Sequence, residues 1–237
     1  LGFGAVAMEL TMKRVAVVFP GQGSQSVGMM AGWDDHPVVR ATFDEASEAL
    51  GQDLWVLVTD GPAEALNLTT NTQPVMLTAG IAAWRAWQAA GGDIPAVVAG
   101  HSLGEYTALV AAGALAFRDA VPLVRFRAQA MTDAVPAGLG AMAAILGGDD
   151  ASVAEACREA AQGEVVEPVN FNSPGQVVIA GHRAAVERAI ERAKARGAKR
   201  GMLLVSGPFH SALMKPAAER LAGRLAQVEF RSPAIPV

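Results

Sequence analysis

The sequence has little of several features that mark particular classes of protein. One of its 237 residues is a cysteine, Cys157, so an internal disulfide framework is excluded and a reducing compartment is indicated. Charged residues make up 18% of the chain, and the formal net charge is −4. A chain of this composition has no broad basic surface, and we therefore expect no nucleic-acid partner.

Long hydrophobic runs are also missing. The apolar start of the chain carries Lys13 and Arg14 after its apolar stretch, an order that does not fit a secretory signal. The next apolar run, residues 15–19, is halted by a Pro-Gly pair and is too short to cross a bilayer. We interpret residues 1–11 as an N-terminal extension, and we predict a cytoplasmic monomer without a membrane partner.

Half of the chain is hydrophobic, and its patterns alternate between strand and helix. This composition predicts a compact α/β chain with a parallel sheet. Short apolar runs predict strands at 15–19 and 97–100, and the segments between and after them predict helices at 37–50, 74–90, 103–115 and 119–135. Pro122 is expected in the first turn of its helix, where its missing N–H does no harm.

The pattern changes after the loop at 136–140. Strands are predicted at 141–146, 165–171, 176–180 and 202–205, with helices at 150–161 and 184–196. The order β-α-β-β-α-β is that of a ferredoxin-like unit. We therefore predict a small domain over residues 137–205, inserted into a large domain made of residues 12–136 and 206–237.

The stretch GHSLGEY at 100–106 is the strongest signal for chemistry. A Gly-x-Ser-x-Gly pattern between a strand and a helix is typical of a nucleophile elbow, in which the serine hydroxyl is exposed on a tight turn. Glycines flank the serine because such a turn leaves no room for larger side chains. We predict that Ser102 is a catalytic nucleophile, and the alternative is a Gly-rich strand-to-helix turn without chemistry.

The first glycine-rich loop, residues 21–28, resembles a phosphate cradle only superficially. It lacks the Lys-Ser/Thr pair of a P-loop and the glycine spacing of a dinucleotide site. A glycine turn after the first strand suits a second backbone donor to an oxyanion, the loss of which costs ~3 kcal/mol of transition-state stabilisation. A tight turn without a chemical role fits the spacing equally well.

A nucleophilic serine needs a base, and four histidines are available. We expect His36 and His182 to be solvated, and His101 to point away from the serine beside it. His210 lies on a loop between a predicted strand and a helix, where catalytic residues of open α/β sheets collect. His210 is therefore the best candidate for the base.

One arginine lies on a largely apolar helix face. Arg127 is three or four positions from Leu123, Val124, Ala130 and Met131. A guanidinium there could bind a substrate carboxylate through two parallel hydrogen bonds. The alternative is that its stem packs while its charge reaches water, and Arg125 is a weaker candidate for the same role.

The segment at 184–200, which contains the predicted helix at 184–196, is rich in Lys and Arg. A solvated face with Glu–Arg pairs at i,i+4 spacing is the favoured interpretation. A docking surface for an acidic partner is the alternative.

Five motifs occur in order: PGQGSQ at 20–25, GHSLGEY at 100–106, VRFRAQAM at 124–131, VNFNSPGQVVIAG at 169–181 and FHSALM at 209–214. Together they resemble the malonyl-CoA:acyl carrier protein transacylases of bacterial fatty-acid synthesis, from about residue 12 to residue 237. The resemblance implies an α/β-hydrolase-like large domain with a ferredoxin-like insertion. This agrees with the pattern described above.

The resemblance also implies roles for particular residues. Ser102 matches the family's nucleophile and His210 its base, in a dyad without an acid. Arg127 matches the arginine that binds the free carboxylate of malonate. Gln22 and Leu103 match the residues whose backbone N–H groups bind the oxyanion.

The implied reaction is ping-pong transfer of malonyl from malonyl-CoA to the phosphopantetheine thiol of acyl carrier protein. It passes through a malonyl-serine and needs no metal or redox cofactor. Family members continue beyond the equivalent of Val237, so the resemblance implies a C-terminally incomplete large domain. The part beyond residue 237 would hold later strands and a glutamine that orients the histidine.

Two other functions compete with malonyl transfer. A serine esterase or thioesterase would normally place an acid between its serine and its histidine, and Asp149 and Asp150 fall there, within the small unit. A scaffold that binds coenzyme A or carrier protein without turnover is the other alternative.

Overall fold

The computed structural model describes residues 15–205 and 207–237, and the predicted extension at 1–11 lies outside them. The strands are β1 Ala16–Phe19, β2 Val97–Gly100, β3 Gly140–Leu146, β4 Val166–Ser173, β5 Gln176–His182 and β6 Arg200–Val205. The helices are α1 Pro37–Leu50, α2 Leu54–Thr59, α3 Ala63–Leu66, α4 Thr69–Ala89, α5 Leu103–Ala111, α6 Phe117–Asp133, α7 Asp150–Ala161, α8 Arg183–Ala195 and α9 Lys215–Leu225. A 3₁₀ helix, Ala212–Met214, precedes α9.

The described residues form two compact units. The first unit consists of residues 15–67, Thr72–Val121 and Glu229–Val237, and the second of Leu68–Asn71 and residues 122–205 with 207–228. The domain bounds inferred from the sequence stay a prediction.

A parallel pair of strands organises the first unit. β1 and β2 pair in register from Ala16 opposite Val97 to Phe19 opposite Gly100. One side of this pair packs into an apolar cluster with α4 and α5; its buried members are Phe19, Trp84, Val98, Ala108, Ala112 and Ile235. Because both strands end at the same edge, the loops that follow them emerge side by side.

Three helices differ from expectation at a proline or near a glycine. α4 begins before Pro74 and contains it, although the proline was expected to mark the start. Pro122 likewise lies inside α6 rather than in its first turn. α5 ends at Ala111 because Gly113 adopts a left-handed conformation with φ of 74°, a common helix stop.

The second unit contains an antiparallel sheet with strand order β4-β5-β3-β6. With α7 after β3 and α8 after β5, the chain follows the predicted β-α-β-β-α-β order, which confirms the ferredoxin-like arrangement. The bounds of α7 match the predicted helix at 150–161. Asp149 caps α7 by accepting the N–H of Ser152 at 2.8 Å, and hydrogen bonds from Ser152 lower the pKa of its carboxyl.

Alternate residues of this sheet face two different cores. Ala141, Ala143 and Ile145 of β3 point toward α7 and α8. Met142 of β3, with Val178 and Ala180 of β5, belongs to a second cluster that contains Phe209 and Met214. The period-2 geometry of the strands therefore lets one sheet support both its own helices and the segment around His210.

The basic helix α8 forms ion pairs with acidic residues near α7. Arg188 contacts Glu164 at 2.7 Å and also donates to the carbonyl of Ala160, while Arg196 contacts Glu159 at 2.7 Å. An i,i+4 pair joins Arg183 to Glu187 at 3.9 Å. These contacts favour a structural, partly solvated face over a docking surface for an acidic partner.

No helix among the described residues combines the length and hydropathy needed to cross a bilayer. Within the same part of the chain, no three His, Cys, Asp or Glu side chains are grouped so that they could hold a metal ion.

Cys157 gives a test of the packing of the second unit. It is 2% exposed, and burial, with a smaller contribution from the charge of Glu167, raises the pKa of its thiol to about 12. At pH 8 we expect alkylation by iodoacetamide to be about a thousandfold slower in the folded protein than in urea, because little thiolate forms. Equal rates in the two states would contradict this packing.

Candidate active site

Ser102 lies on the turn between β2 and α5 in a conformation that few residues adopt. Its φ is 54° and its ψ is −107°, although it carries a side chain. Such a conformation costs ~1–3 kcal/mol and is found where the surrounding structure enforces it, often at active sites. This is the backbone geometry expected of a nucleophile elbow.

The glycines on either side of Ser102 are required by close backbone contacts. A Cβ atom on Gly100 would lie 1.9 Å from the carbonyl carbon of Gly104. A Cβ atom on Gly104 would lie 2.1 Å from the carbonyl oxygen of Phe19, at the end of β1. The helix therefore starts directly against the strands, and the chain must turn sharply at residue 102.

Both predicted oxyanion donors lie in the same unit as Ser102. Leu103 is the first residue of α5, so its N–H has no acceptor within the helix. Gln22 lies in the turn after β1, and a Cβ atom on the preceding Gly21 would be 2.7 Å from the carbonyl oxygen of His101. The Gln22 turn is thus packed against the residue that precedes the serine.

His210 occupies a tight turn in the second unit. Its φ is 65°, a positive value that is uncommon for a residue with a side chain, and its side chain is exposed. Buried neighbours flank it. Pro208 occupies the space that a side chain at Gly140 would fill, and Phe209 packs in the cluster behind the sheet. The hydroxyl of Ser211 donates to the carbonyl of Pro208 at 2.6 Å.

Arg127 and His210 line one cavity of about 130 Å³ within the second unit. Arg127 is 9% exposed, on α6. The other five lining residues are all apolar: Met131, Met214, Ala217, Ala218 and Leu221. A guanidinium in such surroundings attracts a carboxylate more strongly than it would in water, since the local dielectric is low.

The structure thus groups Ser102, Leu103 and Gln22 in the first unit, and Arg127 with His210 in the second. Arg125, the weaker candidate, does not line the cavity, and burial lowers the pKa of its guanidinium.

The expectation that His36 and His182 are solvated is wrong in part. Nδ1 of His182 accepts the N–H of Val165 at 2.9 Å, and the ring of His36 lies 5.6 Å from that of Trp33. Both rings are only partly exposed and have structural contacts. Asp149, a possible acid for a hydrolase, is occupied in capping α7.

A model of the acyl transferase domain matches residues 16–237. The chain belongs to the acyl transferase domain family. It is 61% identical over 228 residues to the malonyl CoA-acyl carrier protein transacylase of Salmonella typhimurium, a match that covers 95% of this chain and 74% of that protein. The protein of the same name from Bacillus subtilis is 49% identical over 229 residues, with coverage of 95% and 72%.

Solved structures of this acyl transferase group match the fold. The acyl-carrier-protein S-malonyltransferase of Burkholderia pseudomallei aligns with a TM-score of 0.92 and 65% identity, covering 94% of this chain and 73% of that one. A malonyl-transacylase solved in complex with a type II PKS acyl-carrier protein aligns with a TM-score of 0.93 and 57% identity, with coverage of 94% and 73%. The resemblance and the fold class predicted from the sequence are confirmed.

Several residues of the cavity were not singled out from the sequence. Met214, Ala217, Ala218 and Leu221 follow i, i+3, i+4 and i+7 spacing, so a signal for one helix face was present. That face could not be assigned to the Arg127 cavity, because the assignment depends on how α6 and α9 pack.

The elbow can be tested with two Gly→Ala substitutions. Gly104→Ala forces a methyl group against the Phe19 carbonyl, and we expect it to cost about 3 kcal/mol of unfolding free energy, measured by urea denaturation. Gly223→Ala in α9 is the matched control. Nothing lies within 4 Å of its Cβ position, so the change should stabilise the protein by up to ~1 kcal/mol. Equal stability of the two variants would refute the close contact.

Proposed function

We propose that this chain transfers a malonyl group from malonyl-CoA to acyl carrier protein through a malonyl ester on Ser102. The observation that carries the proposal is the positive φ of Ser102 on a turn closed by Gly100 and Gly104. The identity to malonyl transacylases favours a thiol over water as the final acceptor. The activity is that of an acyltransferase of type II fatty-acid biosynthesis.

In the first half-reaction, the oxygen of Ser102 attacks the carbonyl carbon of the malonyl thioester while His210 takes the hydroxyl proton. The N–H groups of Gln22 and Leu103 bind the oxyanion that forms. The carbon–sulfur bond then breaks, and the sulfur of coenzyme A leaves with the proton from His210. General base catalysis of this kind contributes about 10²–10⁴-fold to the rate.

In the second half-reaction, His210 takes the proton of the phosphopantetheine thiol as its sulfur attacks the malonyl-serine. Collapse of the second tetrahedral intermediate returns the proton to the oxygen of Ser102 and releases malonyl-carrier protein. Every proton that is removed is returned and no atom changes its oxidation state, so the proposed steps call for no redox cofactor.

Arg127 selects the acyl group by binding its free carboxylate. The apolar lining of the cavity supports this role, because the cost of removing a carboxylate from water must be offset by a paired cation. An acetyl group has no charge to pair with the guanidinium and gains nothing from it.

The cytoplasmic location and the monomeric state remain predictions from the sequence. So does the absence of a cofactor. Size-exclusion chromatography with light scattering measures the monomeric state directly.

The proposal is tested by intact-protein and peptide mass spectrometry after mixing with malonyl-CoA. We expect a malonyl mass increment on the peptide that contains Ser102. Arg127→Ala should slow this labelling about 10- to 100-fold for malonyl-CoA but much less for acetyl-CoA, since only malonyl loses a charge-assisted pair.

Arg118→Ala is the control on the same helix. Its guanidinium makes an exposed pair with Glu48 at 3.1 Å, so labelling should not change.

A label that survives Ser102→Ala would refute the mechanism. A label that is lost to water and is not discharged faster by a carrier-protein thiol would indicate a hydrolase. A folded protein that takes no label would indicate a scaffold.

A further inference from the structure

We propose that Glu167 is a positioning residue for His210, a role that rests on the proposed function. Glu167 lies on β4, and its Oε1 accepts a hydrogen bond from the backbone N–H of Ala212, two residues after His210. The carboxylate therefore connects the antiparallel sheet directly to the turn that carries the histidine.

The neighbouring Ser211 does not accept this N–H. Ser211 precedes the 3₁₀ helix that Ala212 begins, but its side chain makes no capping hydrogen bond. The hydroxyl of Ser211 instead donates to the carbonyl of Pro208, on the other side of His210. The N–H of Ala212 is thus left to an acceptor from elsewhere in the fold, and Glu167 supplies it.

The turn at His210 needs such an anchor. A positive φ in a residue with a side chain persists only where its neighbours hold the backbone on both sides. On the N-terminal side, Phe209 is buried in the cluster behind the sheet. On the C-terminal side, the Glu167 bond fixes the peptide that follows Ser211. Together the two contacts set the direction in which the exposed imidazole leaves the backbone.

Glu167 can hold the His210 turn in a fixed position because it lies on a paired strand. It pairs with Ala180 of β5 in the sheet register, and Ala180 is fully buried in the cluster that holds Phe209. The two contacts that hold the His210 turn, through Glu167 and through Phe209, therefore both depend on the pairing of β4 with β5. A supporting group on a sheet is held more rigidly than one on a loop.

The test compares Glu167→Ala with Glu167→Gln in steady-state transfer from malonyl-CoA to carrier protein. Glu167→Ala should lower kcat about tenfold and leave KM for malonyl-CoA within about twofold, because a misplaced base slows chemistry more than binding. Glu167→Gln should recover most of the rate, since its amide oxygen still accepts the Ala212 N–H. The control is Glu164→Gln, which removes a charge paired with Arg188 near the same strand and should leave kcat unchanged.

A double substitution separates positioning from general weakening of the fold. If Glu167 acts through His210, adding Glu167→Ala to His210→Ala should not reduce the remaining acylation rate further. A structural role would reduce it again. Hydrogen exchange of the peptide 207–214 should be faster in Glu167→Ala than in the unchanged protein, and this readout does not depend on activity.

The two proposals fail in different ways. No acylation of the unchanged protein would refute the proposed function. Two results would refute the positioning role alone. One is a normal acylation rate that Glu167→Ala does not change. The other is an equal reduction of the rate by Glu167→Ala in the unchanged protein and in His210→Ala.

Discussion

Strand β1 and the start of α5 approach each other so closely that residue 104 has no room for a side chain. Three candidate site residues depend on this contact. It forces the sharp turn at Ser102 and fixes the direction of the first N–H groups of α5. The Gln22 turn, which follows β1, packs against His101 beside the same contact. A change that separated β1 from α5 would therefore disturb the candidate nucleophile and both candidate oxyanion donors at once.

The second unit holds the other two candidate site residues, His210 and Arg127, through a different set of contacts. Its sheet has two buried faces, and the face away from α7 and α8 holds Phe209 and so locates the His210 turn. The same unit places Arg127 at an apolar cavity. In the proposed function, Arg127 selects its acyl group by charge rather than by size, because a neutral acyl group of similar length gains no ion pair there.

The sequence predicted best what is local. The strand at 97–100 and the helices at 37–50 and 150–161 have the predicted bounds, because each is closed by nearby turn or capping residues. The nucleophile elbow could also be predicted from the sequence, since five consecutive residues carry its pattern. The start of α4 was missed because Pro74 is tolerated inside a helix that packs well. The cavity lining and the Glu167–Ala212 contact join residues far apart in sequence, so only the packing of β4, α6 and α9 reveals them.

The central claim is that the malonyl group is attached covalently to Ser102 after it leaves coenzyme A and before it reaches carrier protein. Isotope exchange between labelled coenzyme A and malonyl-CoA, measured without any carrier protein, tests this most directly. A covalent malonyl-serine predicts that label enters malonyl-CoA at a rate comparable with overall transfer. An absence of exchange in a protein that still transfers malonyl to its carrier would contradict the account, since transfer would then require both substrates to be bound together.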